Sequence, residues 1–144
     1  MRSVLFNARG ANMEAVTILL ADDEAILLLD FESALTDAGF LVTAVSSGAK
    51  AIEILKSGAA IVDGVVTDIR FCQPPDGWQV ARVAREIDPN MPIVYISGHA
   101  ALEWSSNGVP DSIMLEKPFT SAQLVTAVSQ LLNARPARAP PSDA

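Results

Sequence analysis

Between residues 16 and 133, short and almost unbroken apolar runs alternate five times with stretches in which apolar side chains recur every three or four residues. The first run, Val16-Thr17-Ile18-Leu19-Leu20-Ala21, has no polar face, as expected of a strand covered on both sides. Leu28, Phe31, Leu35 and Ala38 then recur at helical spacing, and Gly39 supplies a stop. Further strand-like runs lie at 40–45, 62–67, 92–96 and, more briefly, 113–115. The intervening helical stretches are 51–56, closed by Gly58, a stripe of Val80, Val83, Ala84 and Ile87 ended by Asp88-Pro89, and a weak helix at 100–104. A closing helix follows the capping-box spacing of Thr120-Ser121-Ala122-Gln123 and carries Leu124, Val128 and Leu131 on one face. Five successive strand–helix units predict an α/β fold: a five-stranded parallel sheet with helices on both faces.

With 144 residues, half of them apolar and 19% charged, the chain suits one folded domain of ordinary size. The predicted domain spans 15–133, preceded by an extension at 1–14 that has no convincing period, in which Met13 is a second candidate start. The Pro/Ala-rich stretch 134–144 reads as an extended, disordered tail. A single cysteine, Cys72, rules out an intrachain disulfide framework, and one His with one Cys cannot assemble a zinc site of the usual ligand set. No apolar run approaches the roughly 20 residues needed to span a bilayer. The stretch 15–21 is too short and too acidic at its flanks for a signal peptide, so a cytoplasmic protein is expected. Within 15–133, six basic side chains face fifteen carboxylates, a balance of −9. Such a body repels a phosphate backbone and favours a basic partner surface or a metal cation; neither nucleic acid nor membrane is expected as a partner.

The chemistry-bearing residues stand at the carboxyl ends of the strands. Asp22 and Asp23 follow the first, Asp68 closes the third, Ser97 closes the fourth and Lys117 follows the fifth. Ligands of open parallel sheets bind outside those ends. Three carboxylates gathered there repel one another unless a cation joins them, and a hard divalent ion such as Mg²⁺ suits oxygen ligands. Lys117 can pair with a carboxylate or a phosphoryl oxygen, and Ser97 can donate to one. Together these groups suit an aspartate acting as a nucleophile toward phosphorus. The acidic run 22–24 also fits a plain helix N-terminus, and Arg70 an ordinary surface arginine. Ser97 and His99 lack the Gly-x-Ser-x-Gly elbow of a hydrolase, and no phosphate-cradling glycine loop is present.

The fragments Leu20-Ala21-Asp22-Asp23-Glu24, Val66-Thr67-Asp68, Ile96-Ser97-Gly98 and Glu116-Lys117-Pro118-Phe119, in that order and each at a strand end, resemble the receiver domain of bacterial two-component response regulators. The resemblance covers roughly residues 16–133 and implies the flavodoxin-like strand order 2-1-3-4-5. It implies that Asp68 accepts a phosphoryl group from the phosphohistidine of a histidine kinase. Asp23 and Asp68 then ligate Mg²⁺ directly, Asp22 acts through water and Arg70 contributes its backbone carbonyl. Lys117 contacts the phosphoryl group, with a bond to Pro118 that is often cis in relatives. Ser97 swings toward the phosphoryl oxygen and reshapes the face of the fourth helix, fifth strand and last helix.

Three departures from the family pattern matter. Met114 replaces the switch aromatic, which puts the hydroxyl-to-ring coupling in question, although a flexible thioether can fill the space. Arg70 and His99 occupy the positions that tune phosphoryl lifetime. The loop after Asp68 is one residue longer than usual, with Cys72 where proline is common. Because eleven residues follow position 133, the expectation is a stand-alone receiver that docks on other proteins or passes phosphate on in a phosphorelay. It is expected to assist its own phosphorylation and dephosphorylation rather than to act as an enzyme. Two alternatives are a binding module of the same fold that never turns over phosphate, and a hydrolase with an aspartyl intermediate. The missing Asp-x-Asp after the first strand weighs against the second.

Overall fold

The computed structural model describes residues 4–6, 12–98 and 101–135, with side chains described for 15–98 and 102–135. Two short strands, β1 (Val4–Phe6) and β2 (Asn12–Glu14), pair antiparallel, with Leu5 opposite Met13. Then follow β3 (Thr17–Ala21), α1 (Ala25–Asp37), β4 (Leu41–Val45), α2 (Gly48–Ser57), β5 (Gly64–Asp68), α3 (Gly77–Ile87), β6 (Ile93–Ser97), α4 (Ala101–Asn107), β7 (Ile113–Glu116) and α5 (Ser121–Ala134). The five later strands form one parallel sheet in the order β4-β3-β5-β6-β7, which is 2-1-3-4-5 counted from β3.

Alternate residues of the same strands feed two separate apolar layers, because successive side chains of a strand point to opposite faces. Leu19 and Ala21 of β3, Val65 of β5 and Ile93 and Tyr95 of β6 pack on α2 and α3 through Ala51, Leu55, Trp78, Val80, Ala81 and Ala84. Ile18, Leu20, Val66, Val94 and Ile96 pack on α1 and α5 through Leu35, Leu124, Ala127 and Val128. Burial on both faces explains why these strands lack a polar period. Neither layer takes a residue from the described part of α4, and Leu102 on that helix is 93% exposed.

Local chemistry sets the helix ends. The sequence pattern placed the start of the second helix near Ala51, yet α2 begins at Gly48, because the Ser47 side chain accepts the Lys50 N–H (3.1 Å). Gly58 ends it in the left-handed region, φ 65°, which a side chain would disfavour. Asp76 and Gln79 form a reciprocal capping box at α3, as Thr120 and Gln123 do at α5. At the far end, the Arg135 guanidinium donates to Asp88 Oδ2 (2.8 Å) and the Asp63 carbonyl (3.4 Å). The described chain thus reaches two residues into the stretch expected as a tail, since α5 runs to Ala134 and this ion pair anchors the next residue. Residues 136–144 lie outside the described residues.

Candidate functional site

Strand register aligns the carboxyl ends: Ala21 pairs with Val45 and Thr67, Asp68 with Ile96, and Ser97 with Glu116. The residues that end or follow these strands therefore share one rim. Asp22 extends β3 by donating its N–H to the Val45 carbonyl (3.2 Å) and is fully buried. Its Oδ1 accepts the Glu24 N–H (2.8 Å), whereas Oδ2 is buried with no hydrogen-bond partner among the described residues. Burial, partly offset by the Glu24 N–H and reinforced by the nearby Asp68 charge, raises the Asp22 pKa to about 6.

Asp68 is nearly as deeply buried, at 6% exposure. Its Oδ1 accepts the Ile69 N–H (2.8 Å), and the Lys117 ammonium lies 3.7 Å from Oδ2. Desolvation raises the Asp68 pKa, against the lowering effect of Lys117 and of backbone N–H groups, including that of Arg70. Gly77 closes the floor: its N–H donates to the Ile69 carbonyl (2.8 Å), and a Cβ there would run into the Asp68 carbonyl and the Ile69 Cα. Only glycine lets the start of α3 approach this backbone so closely.

Lys117 is brought in by β7, with its N–H on the Ser97 carbonyl (2.9 Å), and its bond to Pro118 is cis. Its Nζ also lies 3.4 Å from Glu24 Oε1. Burial works to lower its pKa, but Asp68, Asp22 and Glu24 together outweigh it and push the ammonium upward. Ser97 is buried at the end of β6. Asp23 is half-buried on the same rim, where its Oδ2 accepts the Cys72 N–H (3.1 Å) and so ties the first acidic loop to the loop after Asp68.

The structure gathers Asp22, Glu24 and Asp68 most tightly, each with one oxygen within 4.8 Å of the others. Glu24 was legible only as part of an acidic run, and its place in the cluster follows from the Asp22 turn that aims it at Lys117. Among the described residues, four carboxylates, Asp22, Asp23, Glu24 and Asp68, stand against the Lys117 ammonium. That imbalance, with the orphaned Asp22 Oδ2, suits a hard divalent cation bound through oxygens.

The remaining sequence-derived positions lie around this core. The Arg70 side chain turns away from Asp68 to Glu103 on α4, with NH2 at 2.7 Å from both carboxylate oxygens. Met114 is half-buried in β7 opposite Tyr95 of β6. The fully buried Tyr95 ring stacks edge-on against Trp78, centroids 4.7 Å apart, and its hydroxyl accepts the Val109 N–H (3.1 Å). Tyr95 thus fixes an aromatic ring beside Met114, which the strand pattern alone did not single out. His99 lies outside the described residues. No described helix is long and apolar enough to cross a membrane.

Comparison with known proteins gives a consistent picture. A profile of the response regulator receiver domain matches residues 18–129. The response regulator receiver protein CpdR of Brucella abortus (strain 2308) is 37% identical over 117 residues, 80% of this chain and 95% of that protein. Sensor kinase CckA of the same organism is 32% identical over 120 residues, which are 82% of this chain but only 13% of the kinase. The crystal structure of a response regulator receiver protein from Sinorhizobium medicae WSM419 matches with TM-score 0.83 and 93% identity, over 85% of this chain and 98% of that one.

Proposed function

Because the chain belongs to the response regulator receiver domain family of two-component signalling, we propose that Asp68 accepts a phosphoryl group from the phosphohistidine of a sensor histidine kinase or phosphotransfer protein. The carrying observation is the buried Asp22 Oδ2, unpartnered among the described residues, inside a carboxylate cluster that holds the Lys117 ammonium 3.7 Å from Asp68. Asp22, Asp23 and Asp68, with the Arg70 backbone carbonyl and with Glu24 at the rim, are the groups that would hold Mg²⁺. When bound, the ion supplies positive charge that offsets the negative charge of the transferring phosphoryl oxygens.

The chain's own groups do the rest. The Ile69 N–H holds Asp68 Oδ1 and fixes the carboxylate plane, leaving the side that faces Lys117 for the incoming group. An Asp68 oxygen attacks phosphorus, the P–N bond breaks, and its electron pair stays on the departing imidazole, giving an aspartyl phosphate. Lys117, kept charged by its carboxylate neighbours, pairs with a phosphoryl oxygen, and Ser97 donates a hydrogen bond to another. The protein thereby assists its own phosphorylation and dephosphorylation rather than turning over an external substrate. It signals through the face of α4, β7 and α5, or passes the group on in a phosphorelay. We place this exchange in the cytoplasm, in keeping with one cysteine and no membrane-crossing helix among the described residues.

Incubation with acetyl phosphate and Mg²⁺, followed by intact-mass measurement, tests the reading. Wild type gains the mass of one phosphoryl group, while Asp68→Asn and a chelator-treated sample do not. Equal gain in wild type and Asp68→Asn overturns it.

A further inference from the structure

Arg70 is two residues beyond Asp68, and its backbone N–H is one of the groups bonded to the Asp68 carboxylate. Its side chain therefore starts at the mouth of the site. In this structure it is spent elsewhere, on a two-oxygen pair with Glu103, in the first turn of α4. The pair is exposed, 62% for Arg70 and 43% for Glu103. Exposed pairs are weak and exchange readily when a stronger anion appears. A phosphoryl group on Asp68 is such an anion, with about two negative charges and three acceptor oxygens.

The helix at the other end of this pair is lightly held. The described part of α4 gives nothing to either apolar layer. Among the described residues its side-chain ties are Arg70 to Glu103, Arg82 to the Asn107 carbonyl (3.4 Å), and Trp104 Nε1 to Ser112 Oγ (2.9 Å), which in turn donates to the Val109 carbonyl (2.6 Å). Meanwhile no ring stands at position 114 to turn, and the neighbouring Tyr95 hydroxyl is held by the Val109 N–H.

We infer that Glu103 is a positioning residue for Arg70, and that the Arg70–Glu103 pair is a latch opened when Arg70 transfers to a phosphoryl group on Asp68. Phosphorylation is then communicated to α4 by exchange of a guanidinium between two anions, in place of rotation of an aromatic ring. The inference rests on the phosphoacceptor reading of Asp68. It assigns Glu103 a role that its distance from Asp68 in sequence conceals.

Hydrogen exchange read by mass spectrometry on peptides covering α4 in the full chain tests it, with intact mass recorded on the same samples, with and without acetyl phosphate and Mg²⁺. In wild type, α4 amides exchange at least about 5-fold faster once the phosphoryl mass appears, the low end of ordinary site-to-site coupling. Glu103→Gln takes up the phosphoryl group but exchanges at the fast rate without it. In the R70E/E103R double variant the pair re-forms with reversed charge, so exchange is slow and phosphorylation no longer accelerates it. That rescue separates a charge latch from mere loss of packing. A phosphorylated wild type whose α4 exchanges at the unphosphorylated rate, or a Glu103→Gln protein as slow as unphosphorylated wild type, overturns this proposal alone. A wild type that never gains the phosphoryl mass overturns the reading of Asp68 and this proposal together.

Discussion

Replacing Asp22 with asparagine isolates the electrostatic cost of the site. The Asp22 pKa is about 6 in the folded chain against an ordinary value of 3.8. A carboxyl group whose folded pKa is raised favours the folded state while it keeps its proton, so its cost is absent well below pH 4. The cost grows as pH rises from about 4 to 6 and is complete above that. At 1.36 kcal/mol per unit, ionised Asp22 costs the metal-free fold up to ~3 kcal/mol at neutral pH. Asparagine keeps the acceptor for the Glu24 N–H and replaces the orphaned, charge-bearing oxygen by an uncharged amide group. Metal-free Asp22→Asn is therefore more stable than wild type at pH 7.5 by roughly 1.5–3 kcal/mol, a rise in Tm of about 5–10 °C for a domain of this size. Thermal melts followed by circular dichroism, with a chelator or with Mg²⁺ and from pH 5 to 8, measure this. Mg²⁺ stabilises wild type increasingly toward high pH and stabilises the variant little. Some pH dependence of the same sign remains in the variant, because the Asp68 pKa is also raised. A metal-free variant no more stable than wild type at pH 7.5, or one that Mg²⁺ stabilises equally, refutes the reasoning.

Other substitutions probe the remaining parts. Lys117→Ala removes the ammonium 3.7 Å from Asp68 and slows acetyl phosphate labelling by at least about tenfold, or ~1.4 kcal/mol in the barrier, read from the rate of the mass increment. Gly77→Ala drives a methyl group into the Asp68 carbonyl, so the urea midpoint falls by the equivalent of about 1–3 kcal/mol. Tyr95→Phe keeps the ring against Trp78 but leaves the Val109 N–H without its acceptor, at a cost of about 1–2 kcal/mol in urea unfolding; an unchanged midpoint denies the hydroxyl its structural part.

The five sheet strands could be read from the sequence because burial on both faces leaves so plain a mark: Ile18 and Leu19 are both fully buried, on opposite sides. Helix starts were harder, since they depend on single side-chain bonds such as Ser47 to Lys50, and the pairing of Val4–Phe6 with Asn12–Glu14 has no periodic signal at three residues a strand. Within the site, Asp22, Asp68, Ser97 and Lys117 were legible because each stands where a strand ends, and parallel pairing forces such positions onto one rim. The partners of Arg70 and Asp23 were not. Glu103 and Cys72 lie 33 and 49 residues away along the chain, and nothing local selects them. Likewise, the part played by the Tyr95 hydroxyl depends on where the 108–112 loop passes, which spacing does not encode.

The marginal place of α4 has an evolutionary corollary. A segment whose described side chains feed neither apolar layer is only weakly seen by selection for foldedness, so its outward residues can drift without rescue mutations in the interior. A duplicated copy of this chain could thereby acquire a new listener by rewriting one short helix, while inheriting the ancestral chemistry at the strand ends intact.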